Sequence, residues 1–397
     1  MKRIFLFFFV ILSAACSKIE IPEPGKTDVT ESEDGRGEIV QWALNGDASL
    51  HTIDQLCGAF PKDSLFYSVS CYKLVYTTKW VDSLVNASAL VLVPDGISSG
   101  EIVAYFHGTA LPDDIITDFS DYAGGGMFST RIEIAAMALA FASNGGYAVV
   151  IPDYVGYGTT SDLEHPYTYY PELSKGNIDA IIAAGKLLDR LEFRTSDGIY
   201  LTGWSQGGGA ALAAQYYIEK DYSDRLKVKA TSALAGPYDF EAFMDYIMSS
   251  PDKYFLGMSA YGWAAYTLNH FSPLLQRPDD QVFRKNVFDQ NSALFSGVTT
   301  ANELFTPLFV DGYVNGSDEA LSDAIRENTF ARGWSPVGYV FLHHGDSDNI
   351  VPYINSRNAF EGLKGSGNVA LYTYQGGTHT SLLKPYVKTT ISDFQKL

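Results

Sequence analysis

The sequence predicts an α/β fold in which a mostly parallel sheet carries helices on both faces. Strand-like and helix-like segments alternate through much of the chain, and such alternation specifies this architecture. A G-x-S-x-G pattern at 203–207 follows a strand-like run at 199–202 and opens a helix-like run at 208–216. Its glycines permit a sharp strand-to-helix turn, because a Cβ at either position would meet the neighbouring strand or helix. The pattern therefore predicts that the Ser205 hydroxyl stands clear of the sheet.

The first sixteen residues have the form of an export signal. A short basic start, an apolar run at 4–12 and small residues at 13–15 precede Cys16. The apolar run is too short to span a membrane. A cysteine at this point resembles the lipidation site of bacterial lipoproteins, although Ser13 stands where that motif usually has leucine. We predict an exported protein, anchored at the periplasmic or cell surface side through a lipidated Cys16; the alternative is an ordinary signal peptide and a secreted protein.

The remainder divides into a linker and one large domain. Residues 17–40 are rich in acidic residues, proline, glycine, serine and threonine, and are predicted to form a flexible tether. Residues 41–397 are predicted to form a single α/β domain. Cys57 and Cys71 are the only other cysteines. In an oxidising compartment they could form a disulfide or remain buried thiols, and the sequence leaves both outcomes open.

The charge of the chain excludes some partners. With a net charge of −18 and no cluster of lysine and arginine, the sequence argues against nucleic-acid binding. No group of histidine, cysteine and aspartate has the spacing of metal ligands. We therefore expect neither a metal nor another cofactor, and contact with a membrane only through the N-terminal lipid.

The sheet is predicted from eight strand-like runs. The first two, at 72–78 and 83–94, are predicted to pair in antiparallel fashion, and the others follow at 102–106, 147–152, 199–202, 228–235, 338–343 and 369–374. Helices are predicted at 131–143 and at 175–191, with Asn177 as the N-cap of the second, and in the tail that ends at Leu397.

An insertion interrupts the alternation after the sixth of these strands. Residues 238–335 are dense in aromatic side chains and methionine, look helical, and are punctuated by prolines. We predict a helical lid or cap. Packing on the core explains most of its aromatic residues, and a subset could line an apolar substrate channel.

An acid and a histidine follow the last two predicted strands. Asp348 lies three residues after Gly345 and is the preferred acid, with Asp346 second and Asp239 a distant third. His379 lies in a glycine loop just past the final strand, from which its ring could reach Ser205. By contrast, His343 and His344 fall within or at the end of a strand. His107 and Asp153, each at the end of a buried strand, are expected to be structural.

The order Ser205, Asp348, His379 resembles that of the α/β-hydrolases, specifically the secretory lipase type. The likeness runs from about residue 72 to the C-terminus and is carried by the motifs at 107–109, 152–158, 203–207, 344–348 and 377–379. It implies an α/β-hydrolase fold with a helical cap and a serine hydrolase that cleaves carboxylic esters of lipids or small molecules.

The resemblance also implies roles for individual residues. Ser205 would be the nucleophile, His379 the base and Asp348 the acid of a catalytic triad. The oxyanion hole would be formed by the backbone N–H groups of Gln206 and of Thr109, or of Ala110 in place of Thr109. The fold hosts many chemistries, so a carbohydrate esterase that removes acetyl or feruloyl groups, or an exopeptidase, remains an alternative, and a non-enzymatic surface binding protein is the least favoured.

Overall fold

The serine turn lies at the centre of a sheet of nine strands. The computed structural model describes residues 34–57, 65–110, 133, 137–284 and 297–397, without the side chains of residues 56 and 57. The strands are β1 (Ile39–Ala48), β2 (Val69–Trp80), β3 (Ser83–Pro94), β4 (Ser99–Phe106), β5 (Ala148–Pro152), β6 (Arg194–Trp204), β7 (Val228–Leu234), β8 (Tyr339–Gly345) and β9 (Val369–Tyr374). All eight strands that the sequence predicts are therefore present.

Helices connect these strands and fill the insertion. They are α1 (Leu50–Cys57), α2 (Leu139–Gly145), α3 (Tyr170–Arg190), α4 (Gln206–Asp221), α5 (Phe240–Met248), α6 (Met258–Phe271), α7 (Asp279–Val282), α8 (Ala301–Leu304), α9 (Pro307–Val314), α10 (Glu319–Glu327), α11 (Ile354–Leu363) and α12 (Leu383–Phe394). Six of them, α5 to α10, lie between β7 and β8. The insertion predicted at 238–335 is therefore helical in its described parts.

The strand order brings the predicted site residues to one edge of the sheet. The order is β1-β2-β3-β5-β4-β6-β7-β8-β9. Strands β1, β2, β3 and β5 pair in antiparallel fashion, and every pair from β5 to β9 is parallel. Because the carboxyl ends of parallel strands meet at the same edge, the segments that follow β4, β6, β8 and β9 converge there.

Both faces of the sheet are buried, as a doubly covered α/β sheet requires. Along β4, Ala104 and Phe106 belong to the apolar layer that also contains residues of α3 and α4. Val103 and Tyr105 belong to the opposite layer, with residues of α2 and α12. The alternation of side chains along this strand thus supplies two cores. The predicted α/β class with helices on both faces is confirmed.

Strand β1 is the strand that the sequence did not predict. It pairs with β2 and contains two irregularities, between Ile39 and Gln41 and between Leu44 and Gly46. These bulges break the period of two by which a strand is recognised, and Asn45 and Gly46 are residues typical of turns. The last two residues of the predicted tether at 17–40 therefore belong to the sheet.

The segment before β1 is also fixed to the domain. Arg36 Nε donates to Asp179 Oδ2 at 2.9 Å, and the exposed fractions of the two side chains are 11% and 0%. Thr78 donates to the same carboxylate oxygen at 2.6 Å. Composition predicted a flexible segment up to residue 40, whereas this buried partner lies more than a hundred residues away and cannot be seen in local composition.

The Arg36→Met substitution should lower the free energy of unfolding by about 3–5 kcal/mol at pH 8, because it leaves the Asp179 charge buried and unpaired. Burial raises the pKa of Asp179 to about 6 even though Arg36 lowers it. Without Arg36 this pKa rises further, so the loss should be smaller at pH 6, where the protonated acid carries no charge. Urea unfolding at both pH values measures the difference.

A matched control is Arg326→Met, because the Arg326–Asp323 pair is more than half exposed. Exposed pairs contribute little to stability, and no measurable change is expected. Equal losses of unfolding free energy in the two variants would mean that the buried ion pair does not fix residues 34–38 to the domain.

Helix α3 begins five residues earlier than predicted. Its N-cap is Tyr169, and Pro171 occupies the first turn, where its fixed φ and missing N–H are tolerated. Asn177, the predicted N-cap, is wrong: it is fully buried in the interior of the helix. The proline was the more informative signal for this helix start.

Cys71 is a buried free thiol, so the disulfide with Cys57 that the sequence left open is not formed here. Burial raises the pKa of this thiol far above its usual value. The side chain of Cys57, like the predicted signal peptide and Cys16, lies outside the described residues. Within the part of the chain that the structure describes, no helix has both the length and the apolar character needed to cross a membrane.

Candidate active site

The turn between β6 and α4 holds Ser205 in a strained conformation. Its backbone has φ 58° and ψ −121°, a region that non-glycine residues rarely adopt. The Ser205 N–H donates to Leu234 O at 2.9 Å, and the Ser205 carbonyl accepts from Gly209 N at 3.2 Å. These bonds to β7 and to the first turn of α4 hold the strained residue in place.

The two glycines of the motif are required by close backbone contacts. A Cβ added to Gly203 would lie 2.3 Å from Gly207 O, and one added to Gly207 would lie 1.9 Å from Phe106 O. Both distances are far below van der Waals contact. The predicted reason for the glycines, collision with the neighbouring strand or helix, is therefore what the geometry requires.

The Gly207→Ala substitution should prevent folding or greatly reduce the yield of soluble protein, because the colliding atoms belong to the backbone of β4 and cannot rotate away. The control is Gly185→Ala in α3, where an added Cβ has no atom within 4 Å. Alanine there should stabilise the helix by up to about 1 kcal/mol. Thermal unfolding and soluble yield measure both effects. Soluble, native-like Gly207→Ala protein would contradict the close approach of Gly207 to the backbone of Phe106.

A continuous chain of hydrogen bonds links the three residues that the sequence singled out. His379 Nε2 lies 2.9 Å from Ser205 Oγ, and His379 Nδ1 lies 2.7 Å from Asp348 Oδ2. His379 follows β9, and Asp348 follows β8. The exposed fractions of Ser205 and His379 are 9% and 7%. The three side chains therefore meet in a nearly closed site.

Four donors surround the Asp348 carboxylate. Oδ1 accepts the N–H groups of Ile350 and Val351 at 2.9 and 3.0 Å. Oδ2 lies 2.7 Å from His379 Nδ1 and 3.3 Å from His344 Nε2. Burial alone would raise the pKa of Asp348, but the hydrogen bonds from His344 and His379 outweigh it and hold the pKa well below its usual value. The group is therefore ionised at neutral pH.

His344 supports this carboxylate and does not reach the serine. Its Nε2 also lies 2.9 Å from Val351 O, which can only accept, so this nitrogen carries the proton. Its Nδ1 lies 2.7 Å from Ser356 Oγ and can accept from that hydroxyl. The sequence placed His344 at the end of a strand without recognising this role.

The other acids and histidines of the prediction have partners elsewhere. Asp346 accepts from Gly376 N at 2.7 Å. Asp239 caps α5 through Ala242 N and forms an ion pair with Arg332. His343 stacks on a tyrosine of β9, and burial lowers its pKa to about 3. Of the candidates considered, Asp348 and His379 are the acid and the histidine that the structure brings to Ser205.

The loop after β4 lies beside the serine turn, as its sheet position requires. The ring of His107 stacks on Tyr154 with centroids 4.1 Å apart, its Nδ1 bonds to Gly108 O at 2.7 Å, and burial lowers its pKa to about 4. Thr109 Oγ1 lies 2.7 Å from Tyr167 OH. These contacts are structural, which agrees with the role expected for His107. Asp153 is likewise buried and accepts from Ser88.

Gln206 is the first residue of α4, so its backbone N–H has no acceptor within the helix. Its side-chain amide Nε2 lies 2.8 Å from His165 Nε2. His165 Nδ1 donates to Val155 O at 2.7 Å, so Nε2 carries no proton and accepts from the amide. Burial lowers the pKa of His165 to about 3, so the ring is neutral. Sequence reasoning missed His165, because no motif or spacing marks it.

Glu133 is the second residue that sequence reasoning missed. It lies against the loop after β4, although it belongs to the apolar run predicted at 131–143. The available signal was its position: it lies four residues before Met137, so in a helix it falls on the apolar face of that run. Among the described residues, no group of three or more histidine, cysteine or acidic side chains is arranged to hold a metal.

Solved structures with the same architecture span almost the whole chain. A Legionella pneumophila subsp. pneumophila protein is 24% identical, with a TM-score of 0.77, over 90% of this chain and 98% of its own. The esterase LipA of Xanthomonas oryzae is 21% identical, with a TM-score of 0.74, over 91% and 98%. Candida antarctica lipase A in its closed state is 16% identical, with a TM-score of 0.65, over 90% and 83%. No curated protein matches significantly.

The sheet order, the serine turn and these neighbours define an α/β-hydrolase. The model of the secretory lipase family matches residues 126–381, about two thirds of the chain. The protein therefore belongs to the secretory lipase family and is a carboxylic ester hydrolase. The predicted fold class and enzyme class are confirmed, and membership of a secretory family supports export.

Proposed function

We propose that this enzyme hydrolyses carboxylic esters through a catalytic triad of Ser205, His379 and Asp348. The observation that carries the proposal is the pair of distances at His379, 2.9 Å to the serine oxygen and 2.7 Å to the carboxylate. A nucleophile bonded to a base, which is oriented by a third group, is the arrangement that acyl transfer needs.

The reaction has two stages. Ser205 Oγ attacks the ester carbonyl carbon while His379 Nε2 accepts its proton. The tetrahedral intermediate then releases the alcohol, which takes that proton from His379, and an acyl-enzyme remains. A water molecule gives a proton to His379 and attacks the acyl carbon, and the acid leaves as Ser205 recovers its proton. The ionised Asp348 stabilises the imidazolium formed in each stage.

Two backbone N–H groups are proposed to stabilise the oxyanion. Gln206 offers the first N–H of α4, at the positive end of the helix dipole. The loop after β4 offers that of Thr109. One such donor contributes about 3 kcal/mol to lowering the barrier. The buried pair of Gln206 and His165 supports this assignment, because it restrains the residue whose N–H must point at the substrate oxygen.

We propose esters with an apolar acyl group as the substrates. Tyr167, which contacts Thr109, stacks on Trp263 of α6 with centroids 4.1 Å apart and planes within 5°. Both rings are buried, so this stacked pair forms an apolar contact between the insertion and the proposed oxyanion loop, and an apolar aromatic environment suits acyl chains. The second candidate is an acylated cell-wall polysaccharide, because the neighbouring LipA is named as a rice cell wall degrading esterase.

A fluorophosphonate probe tests the triad, and an ester panel tests the substrate class. The probe should add to Ser205, as located by peptide mass, and should fail on heat-unfolded enzyme. Nitrophenyl esters of short, medium and long acyl chains are compared with acetylated and feruloylated polysaccharides and with aminoacyl amides. A higher kcat/KM for the apolar esters supports the proposal. Labelling elsewhere, or a preference for the polysaccharides, contradicts the triad or the substrate class respectively.

We also propose that Cys16 carries a lipid that anchors the exported enzyme to a membrane. The support is the basic, apolar and small-residue order of residues 1–15 before this cysteine. Metabolic labelling with a fatty-acid analogue in a bacterial host should mark the full-length chain. Loss of the label in Cys16→Ser supports lipidation. An unlabelled parent chain would mean that residues 1–15 belong to an ordinary signal peptide and that Cys16 carries no lipid.

A further inference from the structure

Glu133 is a buried carboxyl against the loop after β4, and the reaction proposed above does not use it. Its exposed fraction is 3%. Both of its carboxylate oxygens accept the Gly108 N–H at 2.9 Å, and Oε1 also accepts from Tyr105 OH at 2.7 Å. Burying an acid lowers stability unless the acid is hydrogen-bonded. These bonds therefore explain how Glu133 can be buried, but not what it contributes to the enzyme.

Two backbone carbonyls of this loop accept hydrogen bonds from tyrosine hydroxyls. Tyr154 OH donates to His107 O at 2.8 Å, and Tyr157 OH donates to Ala110 O at 2.9 Å. The Gly108 carbonyl is bonded to the His107 ring, whereas its N–H faces Glu133. Every residue from 107 to 110 is thus restrained, and the Glu133 carboxyl is the partner of a backbone N–H.

This N–H is adjacent to the one that the reaction needs. If Gly108 N–H were free, it would compete with Thr109 N–H for the substrate oxygen, and the loop could rotate between the two. Bonding of Gly108 N–H to Glu133 removes that choice and fixes the peptide plane between His107 and Gly108. The bond between His107 Nδ1 and Gly108 O holds the next peptide plane, which carries the Thr109 N–H. A hydrogen bond to a carboxylate is stronger than one to a neutral acceptor, which suits a loop that must not move.

We propose that Glu133 is a positioning residue for the oxyanion hole, which holds Gly108 N–H so that Thr109 N–H faces the oxygen of the tetrahedral intermediate. The inference rests on the proposed triad and its oxyanion donors. It also excludes the Gly108 N–H as an oxyanion donor, because that group is already bonded to Glu133.

The test compares an ester with its thionoester, in which sulfur replaces the carbonyl oxygen. Sulfur accepts hydrogen bonds poorly, so a working oxyanion hole favours the oxygen ester. In Glu133→Ala, kcat for the oxygen ester should fall by about a hundredfold and the ratio of oxygen ester to thionoester should fall with it, whereas KM should change less than about threefold. Glu133→Gln keeps an acceptor for Gly108 and should lose about tenfold or less.

Tyr105→Phe is the matched control. It removes the other partner of Glu133 but leaves the Gly108 bond, so the oxygen-to-thionoester ratio should be unchanged. If Glu133→Ala does not fold, Glu133→Met replaces it, because Met has a similar volume but offers Gly108 N–H no oxygen acceptor. If folded Glu133→Ala or Glu133→Met keeps the parent ratio while the fluorophosphonate probe still labels Ser205, the inference is overturned and the triad stands. If the parent is not labelled at Ser205, the proposed function itself fails.

A pH titration of stability checks the burial of this carboxyl independently of activity. Burial raises the pKa of Glu133 from 4.5 to about 7, although its bonds to Tyr105 and Gly108 lower it. The titratable groups that face it are Tyr105 of β4 and Tyr154 after β5. Tyr386 of α12 lies behind Tyr105, and His107 precedes Gly108 in the loop. The pKa of His107 is lowered and those of the tyrosines are raised, so all are neutral near pH 7.

The direction in which stability changes with pH follows from the raised pKa of Glu133. The folded protein binds this proton more tightly than the unfolded chain, so its stabilising contribution is complete below pH 4.5 and is lost as the pH rises to about 7. The parent Tm should therefore fall relative to that of Glu133→Gln over this interval. A constant difference between their Tm values would mean that Glu133 is not held as a buried acid, and would contradict the inference.

Discussion

The Ser205→Ala enzyme is expected to lose about 10⁴- to 10⁶-fold in kcat while remaining folded. The substitution removes the only atom that can form the acyl-enzyme in the proposed reaction. It leaves the oxyanion donors and the binding surface, from which a small residual rate over water is expected. The backbone strain at φ 58° persists, because alanine and serine share the same Cβ. Only the bond to His379 is lost, so stability should change by about 1 kcal/mol.

Steady-state hydrolysis of a short nitrophenyl ester measures this loss, with the protein purified from a host that lacks the parent enzyme. The control is Ser232→Ala on β7, a fully buried serine bonded to Thr390 and separate from the site. Its kcat should stay within about twofold of the parent, with a loss of about 1 kcal/mol in stability. More than one percent residual activity in clean Ser205→Ala protein would mean that another group is the nucleophile.

Local signals were sufficient for the parts of this fold that depend on neighbouring residues. The serine turn needs Gly203 and Gly207 within two residues of Ser205, so five letters predict the strained geometry. The strands that carry the acid and the histidine are short apolar runs followed by turn residues, and parallel pairing brings their ends together. Their order along the chain then placed Asp348 and His379 at one edge. There, Asp348 lies within hydrogen-bond distance of His379, and His379 within hydrogen-bond distance of Ser205.

Contacts between distant parts of the chain were not predictable in this way. The residues before β1 look disordered by composition, and the contact with the buried Asp179, which is remote in sequence, explains why Arg36 is fixed. Asn177 has the side chain of an N-cap, but packing extends α3 by five residues on its N-terminal side. Glu133 and His165 belong to no motif, since each is recognised only by its hydrogen bond to a residue beside the site, Gly108 and Gln206 respectively. Such supporting contacts depend on the folded arrangement and not on sequence spacing.

The Asp348→Asn enzyme is expected to lose about 10⁴-fold in kcat at neutral pH. Asp348 Oδ1 accepts two backbone N–H groups, from Ile350 and Val351, so the amide oxygen of an asparagine must occupy this position. The amide nitrogen then replaces Oδ2 and presents hydrogens to His379 Nδ1. To avoid this clash of donors, the imidazole must carry its proton on Nε2. In that tautomer it cannot accept the proton of Ser205.

Asp346→Asn is the matched control, because Asp346 lies two residues away and accepts from Gly376 N without contacting His379. Its amide oxygen can keep that bond, so kcat should stay within about threefold of the parent. The comparison assigns the acid, since the two aspartates share one loop and one motif. A large loss in Asp346→Asn with a small one in Asp348→Asn would reverse the assignment, and small losses in both would mean that His379 needs no carboxylate to hold its tautomer.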